Sequence, residues 1–164
     1  MILDNTLLLS GAYSAAGVLS GQAVTATAVS TNTYDTAPLA LGGNTPNDLG
    51  RGEPLSIAIS TLVAAAAAGA ATVNFELIQA DDAALTVNVE TIVQTGPIGK
   101  ATLVAGALVH LRYDRAAPLA ARRYIGIRYT VGTGPLTAGT FSAAIVKDPA
   151  DIANIYGKSG FLVS

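Results

Sequence analysis

Short runs in which apolar and polar residues alternate, separated by Gly, Pro, Asn and Asp, fill most of this chain. That is how an antiparallel sheet with one buried face is written. A run over Gln22 to Ser30 sets Val24, Ala26 and Ala28 against Thr25 and Thr27. In the next, Leu55, Ile57 and Ile59 alternate with Ser56, Ala58 and Ser60, which predicts a strand over 55–60 followed by a small-residue loop. Thr72 to Gln79 turns Val73, Phe75 and Leu77 inward with Asn74 and Glu76 outward, whereas Thr86 to Gln94 is less regular. Leu103 to Leu111 is apolar on both faces, which predicts a central strand. Ile125, Ile127, Tyr129 and Val131 share one face of Arg123 to Val131, opposite Tyr124, Arg128 and Thr130, and Thr140 to Val146 buries Phe141, Ala143 and Ile145. The fold class this predicts is all-β, an antiparallel β-sandwich or jelly roll.

Helix is expected in one place. Ala64 to Ala71 has high helix propensity, but it is only about two turns long, contains Gly69, and lacks both an N-cap and an amphipathic stripe. Near the end, Asp148 can cap, Pro149 suits the first helical position, and Ile152, Ile155 and Tyr156 fall at helical spacing before Gly157, which predicts a short C-terminal helical turn. The chain therefore divides into an N-terminal arm (1–21), a β domain (22–147) and a C-terminal helical turn and tail (148–164). Both arms are apolar, unlike the polar composition of disordered segments. Ile2, Leu3, Leu7, Leu8 and Leu9 at one end, and Tyr156, Phe161 and Leu162 at the other, are candidates to lie on a partner. Packing on their own domain is the competing reading.

Composition narrows the function classes. Of 164 residues, 51% are hydrophobic and only 12% charged, with a net charge of -2, against about 25% charged in an ordinary soluble domain. Nine basic residues give no electrostatic footprint for nucleic acid or an anionic membrane. The uncharged stretches 5–34 and 54–75 have spanning length, but the second alternates as a strand does. The first has Asp4 and no Lys or Arg ahead of its apolar residues, the wrong flank for a secretory signal. The chain has no Cys, so thiol chemistry and disulfides are excluded.

Reactive groups do not converge in the sequence. The one histidine, His110, has no partners at triad or metal spacing and reads as a structural residue bonded to a backbone group. Asp81-Asp82 lacks the pattern of a calcium loop and reads as a solvated turn. Gln94 stands where a phosphate loop before Gly99-Lys100 needs its first glycine. No serine sits in a hydrolase elbow. The chain is therefore expected not to be an enzyme, with no catalytic residue, no cofactor and no metal. Glycan binding, as in a tail or surface adhesin, is the alternative function, its platforms limited to Tyr and Phe because Trp is absent. Arg112, Arg115, Arg122, Arg123 and Arg128 cluster within seventeen positions. Arg112, Arg115 and Arg122 are candidate partner contacts through bidentate pairing with carboxylates, and an intramolecular network with Asp114 and other acids is the competing reading.

Several segments together carry a family likeness: Arg123-Tyr124-Ile125-Gly126-Ile127-Arg128-Tyr129-Thr130-Val131, Thr137-Ala138-Gly139-Thr140-Phe141-Ser142-Ala143-Ala144, Met1-Ile2-Leu3-Asp4, Gln22-Ala23-Val24-Thr25-Ala26-Thr27-Ala28, Gly50-Arg51-Gly52-Glu53-Pro54-Leu55 and Ala101-Thr102-Leu103-Val104-Ala105-Gly106. In order and spacing these resemble tailed-phage capsid cement (decoration) proteins of the Bordetella-phage type. Ser10 to Gly21 looks like an insertion relative to that pattern, and the C-terminal tail has no clear counterpart. The resemblance implies a jelly-roll virion protein, made in the host cytoplasm, that binds the outer surface of an icosahedral head and bridges major capsid protein subunits. Self-association is expected because it would cover apolar surface, and the resemblance suggests a dimer, with a trimer as the alternative; composition and pattern leave neither nucleic acid nor membrane as an expected partner.

Overall fold

The computed structural model describes residues 5–36, 54–113 and 122–149. In chain order the strands are β1 (Leu8–Ser10), β2 (Ala12–Tyr13), β3 (Leu19–Ser20), β4 (Gln22–Ala23), β5 (Ala28–Val29), β6 (Tyr34–Asp35), β7 (Leu55–Ala66), β8 (Thr72–Ala80), β9 (Glu90–Gly99), β10 (Leu108–Tyr113), β11 (Tyr124–Gly132) and β12 (Ala138–Val146). They form an antiparallel, all-β sandwich. One sheet runs β1-β12-β7-β10, with β4 also on β12; the other runs β5-β11-β8-β9, with β6 also on β11; β2 and β3 make a separate hairpin.

The two sheets share one plan. Reading β4, β12, β7, β10 across the first sheet and β5, β11, β8, β9 across the second places chain neighbours over one another. Each pair of neighbours is a stretch of chain that leaves one sheet and enters the other, so one wide antiparallel ribbon is folded across its middle. The segment 22–30, expected as one strand, shows this directly. It is two short strands joined by a bend at Thr25–Thr27, the first on β12 and the second on β11.

Residues from both inner faces meet between the sheets. At the centre, Phe75 lies edge-on to Tyr129 (5.7 Å between ring centroids) and to Phe141 (5.3 Å), and the last two rings stack at 5.7 Å. All three are fully buried. The Tyr129 hydroxyl donates to Ser10 Oγ at 2.7 Å, tying β11 in one sheet to β1 in the other. Burial pushes the Tyr129 hydroxyl pKa well above the phenol range, only partly offset by that hydrogen bond, so the group stays neutral.

Leu8 and Leu9, expected on a partner, are core residues instead: Leu9 is fully buried between the sheets, and Leu8 is buried outside, among Ala58, Ala144 and Val146. Opposite faces of a strand are both occupied here because Tyr13 and Leu19 of the β2-β3 hairpin fold over the outer surface of the first sheet. Leu8–Ser10 of the expected N-terminal arm is thus a strand of the sandwich, with Leu7 half-buried against its core. Leu103 to Leu111 is not a central strand. Leu103 is buried in a loop and β10 lies at a sheet edge; its two apolar faces arise because Leu108 packs under the hairpin while Leu111 enters the core.

Candidate functional site

The sandwich has two unlike ends. At one, the last residues of β7 (62–66) and the connecting segments 25–27, 67–71, 100–107 and 133–137 come together. Ala65 N donates to Leu103 O (2.9 Å), Lys100 N to Ala71 O (3.1 Å), Leu136 N to Thr25 O (2.9 Å) and Thr137 N to Ala66 O (2.7 Å). These segments consist of Ala, Gly, Thr, Val, Leu and Pro with a single charge, Lys100, whose ammonium is held by the carbonyl of Ala67. Leu62, Val63 and Val104 are 36%, 50% and 54% exposed there, beside exposed Ala64 and Ala105. A bulge exposes the adjacent leucine and valine: Thr61 faces Phe141 while Val63 faces Thr140, so Leu62 has no partner of its own across the ladder, and the alternation that buries Ile57, Ile59 and Thr61 breaks. Three consecutive apolar residues left exposed in a strand are a misfit for a solvated surface.

The opposite end holds most of the charge. Arg122 Nη1 donates to both carboxylate oxygens of Asp81 at 2.9 Å, and its Nη2 donates to Glu90 at 2.8 Å. Gln79 completes the set, its amide nitrogen donating to Glu90 (2.9 Å) and its oxygen accepting from Arg122 N (3.2 Å). The Asn88 amide and the Arg122 guanidinium hold the Asp81 carboxyl below the usual carboxylate range; Arg122 and then Gln79 do the same for Glu90. Arg123 forks onto Asp35 with two bonds of 2.9 Å and lies 4.9 Å over the Tyr124 ring. Asp82 accepts from Thr86 N and Val87 N at 2.8 Å, closing the β8-β9 loop. That loop lays buried Leu85 against Gly126, where a Cβ would stand only 2.4 Å from the leucine methyl.

A third polar group sits on the outer face of the second sheet. Glu76, drawn outward by its strand position, is nonetheless buried, because Arg128 Nε (2.7 Å) and Nη2, Asn74 (2.9 Å) and Thr130 (2.8 Å) all donate to it. Its carboxylate is satisfied from several directions, so the cluster ties β8 to β11.

These placements sort the residues singled out from sequence. Arg122 is committed within the molecule, so a partner contact is not its role in this structure: two carboxylates already neutralise it. Arg112 is exposed on β10 and makes no ion pair among the described residues. His110 is exposed next to it, and no backbone group of a described residue bonds its ring, unlike the expectation. Ile2, Leu3, Arg115, Tyr156, Phe161 and Leu162, and the helical turn beyond Pro149, lie outside the described residues. Sequence reading missed Leu62, Val63 and Val104; the signal was the charge-free run through 54–75, which broke alternation at Leu62-Val63. No described aromatic side chain is exposed, no described acidic or histidine cluster has the makings of a metal site, and no described helix is long and apolar enough to cross a membrane.

The sequence model of the Bbp16 family, whose name points to a Bordetella phage protein, matches residues 18–145. No curated protein matches the chain.

Proposed function

The chain belongs to the Bbp16 family, and from that premise we propose that it is a structural virion protein, a capsid cement that binds the outer surface of an icosahedral phage head. In this reading it bridges major capsid protein subunits, acts without catalysis or cofactor, and associates with itself as a dimer in preference to a trimer. The observation that carries the reading is the charge-poor end. Leu62, Val63 and Val104 are exposed on a rim whose one cation is held internally, a surface suited to an uncharged protein partner rather than to a nucleic acid or a small polar substrate.

A cement has to prefer the assembled lattice to free subunits. Such preference arises when one molecule touches surfaces brought together only by assembly, because the second contact is then intramolecular and gains an effective concentration. Apolar area buried in each contact contributes about 25 cal/mol per Å² before the costs of immobilisation.

The test is attachment. Purified protein added to expanded heads grown without it should sediment with them at a fixed ratio to the major capsid protein, and should not bind dissociated capsid subunits comparably. Failure to sediment with heads, or equal binding to free subunits, contradicts the reading.

A further inference from the structure

We propose that β10 is the place where an extended segment of a shell subunit joins the sandwich as an added strand. The proposal rests on the shell-binding reading above and specifies the form the partner takes.

Sheet edges invite strand addition unless they are blunted, and the described edges differ sharply in this respect. On the second sheet, β9 carries Pro97 and two register shifts, while β5 and β6 are two residues long. On the first sheet, β1 has three residues and a shift. Only β10, among these, is regular: Leu108 to Tyr113 pairs with Ser60 to Leu55 over six consecutive residues without a shift, and it contains no proline.

Register decides which backbone groups are open. Thr61 N donates to Ala107 O at 2.9 Å, so the alternation of an antiparallel ladder directs the backbone groups of Val109 and Leu111 to β7. Those of Leu108, His110 and Arg112 then face away from the sheet, and no hydrogen bond from a described residue reaches them. The edge continues into the 103–107 loop, where Val104 is exposed, so the open ladder and the charge-poor end form one surface.

Side chains give the partner's chemistry. Leu111 is buried and Val109 packs against the core, so an incoming strand meets apolar neighbours on its inner side. Arg112 and His110 are exposed on the other side. The fitting segment therefore alternates apolar residues with polar ones that include a carboxylate opposite Arg112, where a guanidinium can pair in bidentate fashion.

His110→Pro tests this. It removes an outward N–H, suits a strand edge and leaves the β7 ladder intact. With heads grown without the protein as the probe, wild-type protein and His110→Ala should bind alike, and His110→Pro should bind at least about tenfold more weakly, a difference of about 1.4 kcal/mol. Equal binding by all three overturns the proposal, as does equal weakening in both variants, which would assign the effect to the imidazole. Amide exchange supplies a readout free of any folding defect: the His110 and Arg112 amides of wild-type protein should slow at least tenfold on heads, and unchanged exchange overturns the proposal. Wild-type protein that does not bind heads at all overturns the shell reading and this proposal together. Wild-type binding with an unprotected edge overturns this proposal alone.

Discussion

The two ends of the sandwich are built from the same strands and treat solvent in opposite ways. Where β8, β9 and β11 meet Asp35, Asp81, Glu90, Arg122 and Arg123, each charge has a partner within the molecule. Where β7 runs into its bulge, Leu62 and Val63 stand exposed with no charge nearby except the internally bound Lys100. A low overall charge is thus no uniform property of the surface. Charge closes one end, and the other is left apolar.

Removing the frame common to both ends gives the largest effect. Phe141→Ala empties the centre of the ring trio and should cost about 4 kcal/mol of unfolding free energy in urea; a loss below 1 kcal/mol would show that the two ends do not share a core. Next comes the charge-poor end itself. Leu62→Glu with Val63→Glu places two charges on the exposed rim, so head binding should fall about a hundredfold, or about 2.8 kcal/mol, with melting little changed. Comparable losses of binding and melting temperature would make those residues structural. Tyr129→Phe removes the hydrogen bond to buried Ser10 and should cost about 1 to 2 kcal/mol, read from the same urea transition.

Acid gives the smallest effect and separates the ends most selectively. Asp81 and Glu90 have folded pKa values below their ordinary 3.8 and 4.5. The stability they contribute is present above those ordinary values and is lost as pH falls through the lower folded ones. Melting temperature should therefore be flat from pH 7 to about pH 5 and decline below pH 4. Asp81→Asn with Glu90→Gln should flatten that decline. A decline of equal depth in the double variant would place the acid-sensitive groups elsewhere.

Alternation made much of the sandwich legible. β8, β11 and β12 lie where the period-two runs placed them, with Phe75, Tyr129 and Phe141 inward, because each presents one face to the core. Two segments that carry apolar residues on both faces were misread. Leu8-Leu9 looked like an arm and Leu103–Leu111 like a sheet centre, since sequence does not reveal that the β2-β3 hairpin supplies a second, outer layer. Irregular strands were shortened or displaced: β7 extends to Ala66 through bulges, and β9 runs over Glu90–Gly99 where a less regular run over Thr86 to Gln94 was expected. The arginines were ambiguous for a different reason. Arg122 and its acids Asp81 and Glu90 are far apart in sequence and adjacent only after β8, β9 and β11 pair, so the choice between partner and internal network depended on the fold. Glu76 faces outward as its strand position predicts, but its burial under Arg128 and Thr130 from the next strand was not legible in sequence.

Hydroxyl-radical footprinting of the protein, free and seated on heads, tests the central contrast most directly. Strong protection of Leu62, Val63 and Val104 is predicted on heads, with Val87 and Tyr124 at the charged end labelled as in the free protein. Protection confined to the charged end, with Leu62, Val63 and Val104 as reactive as in solution, would contradict it.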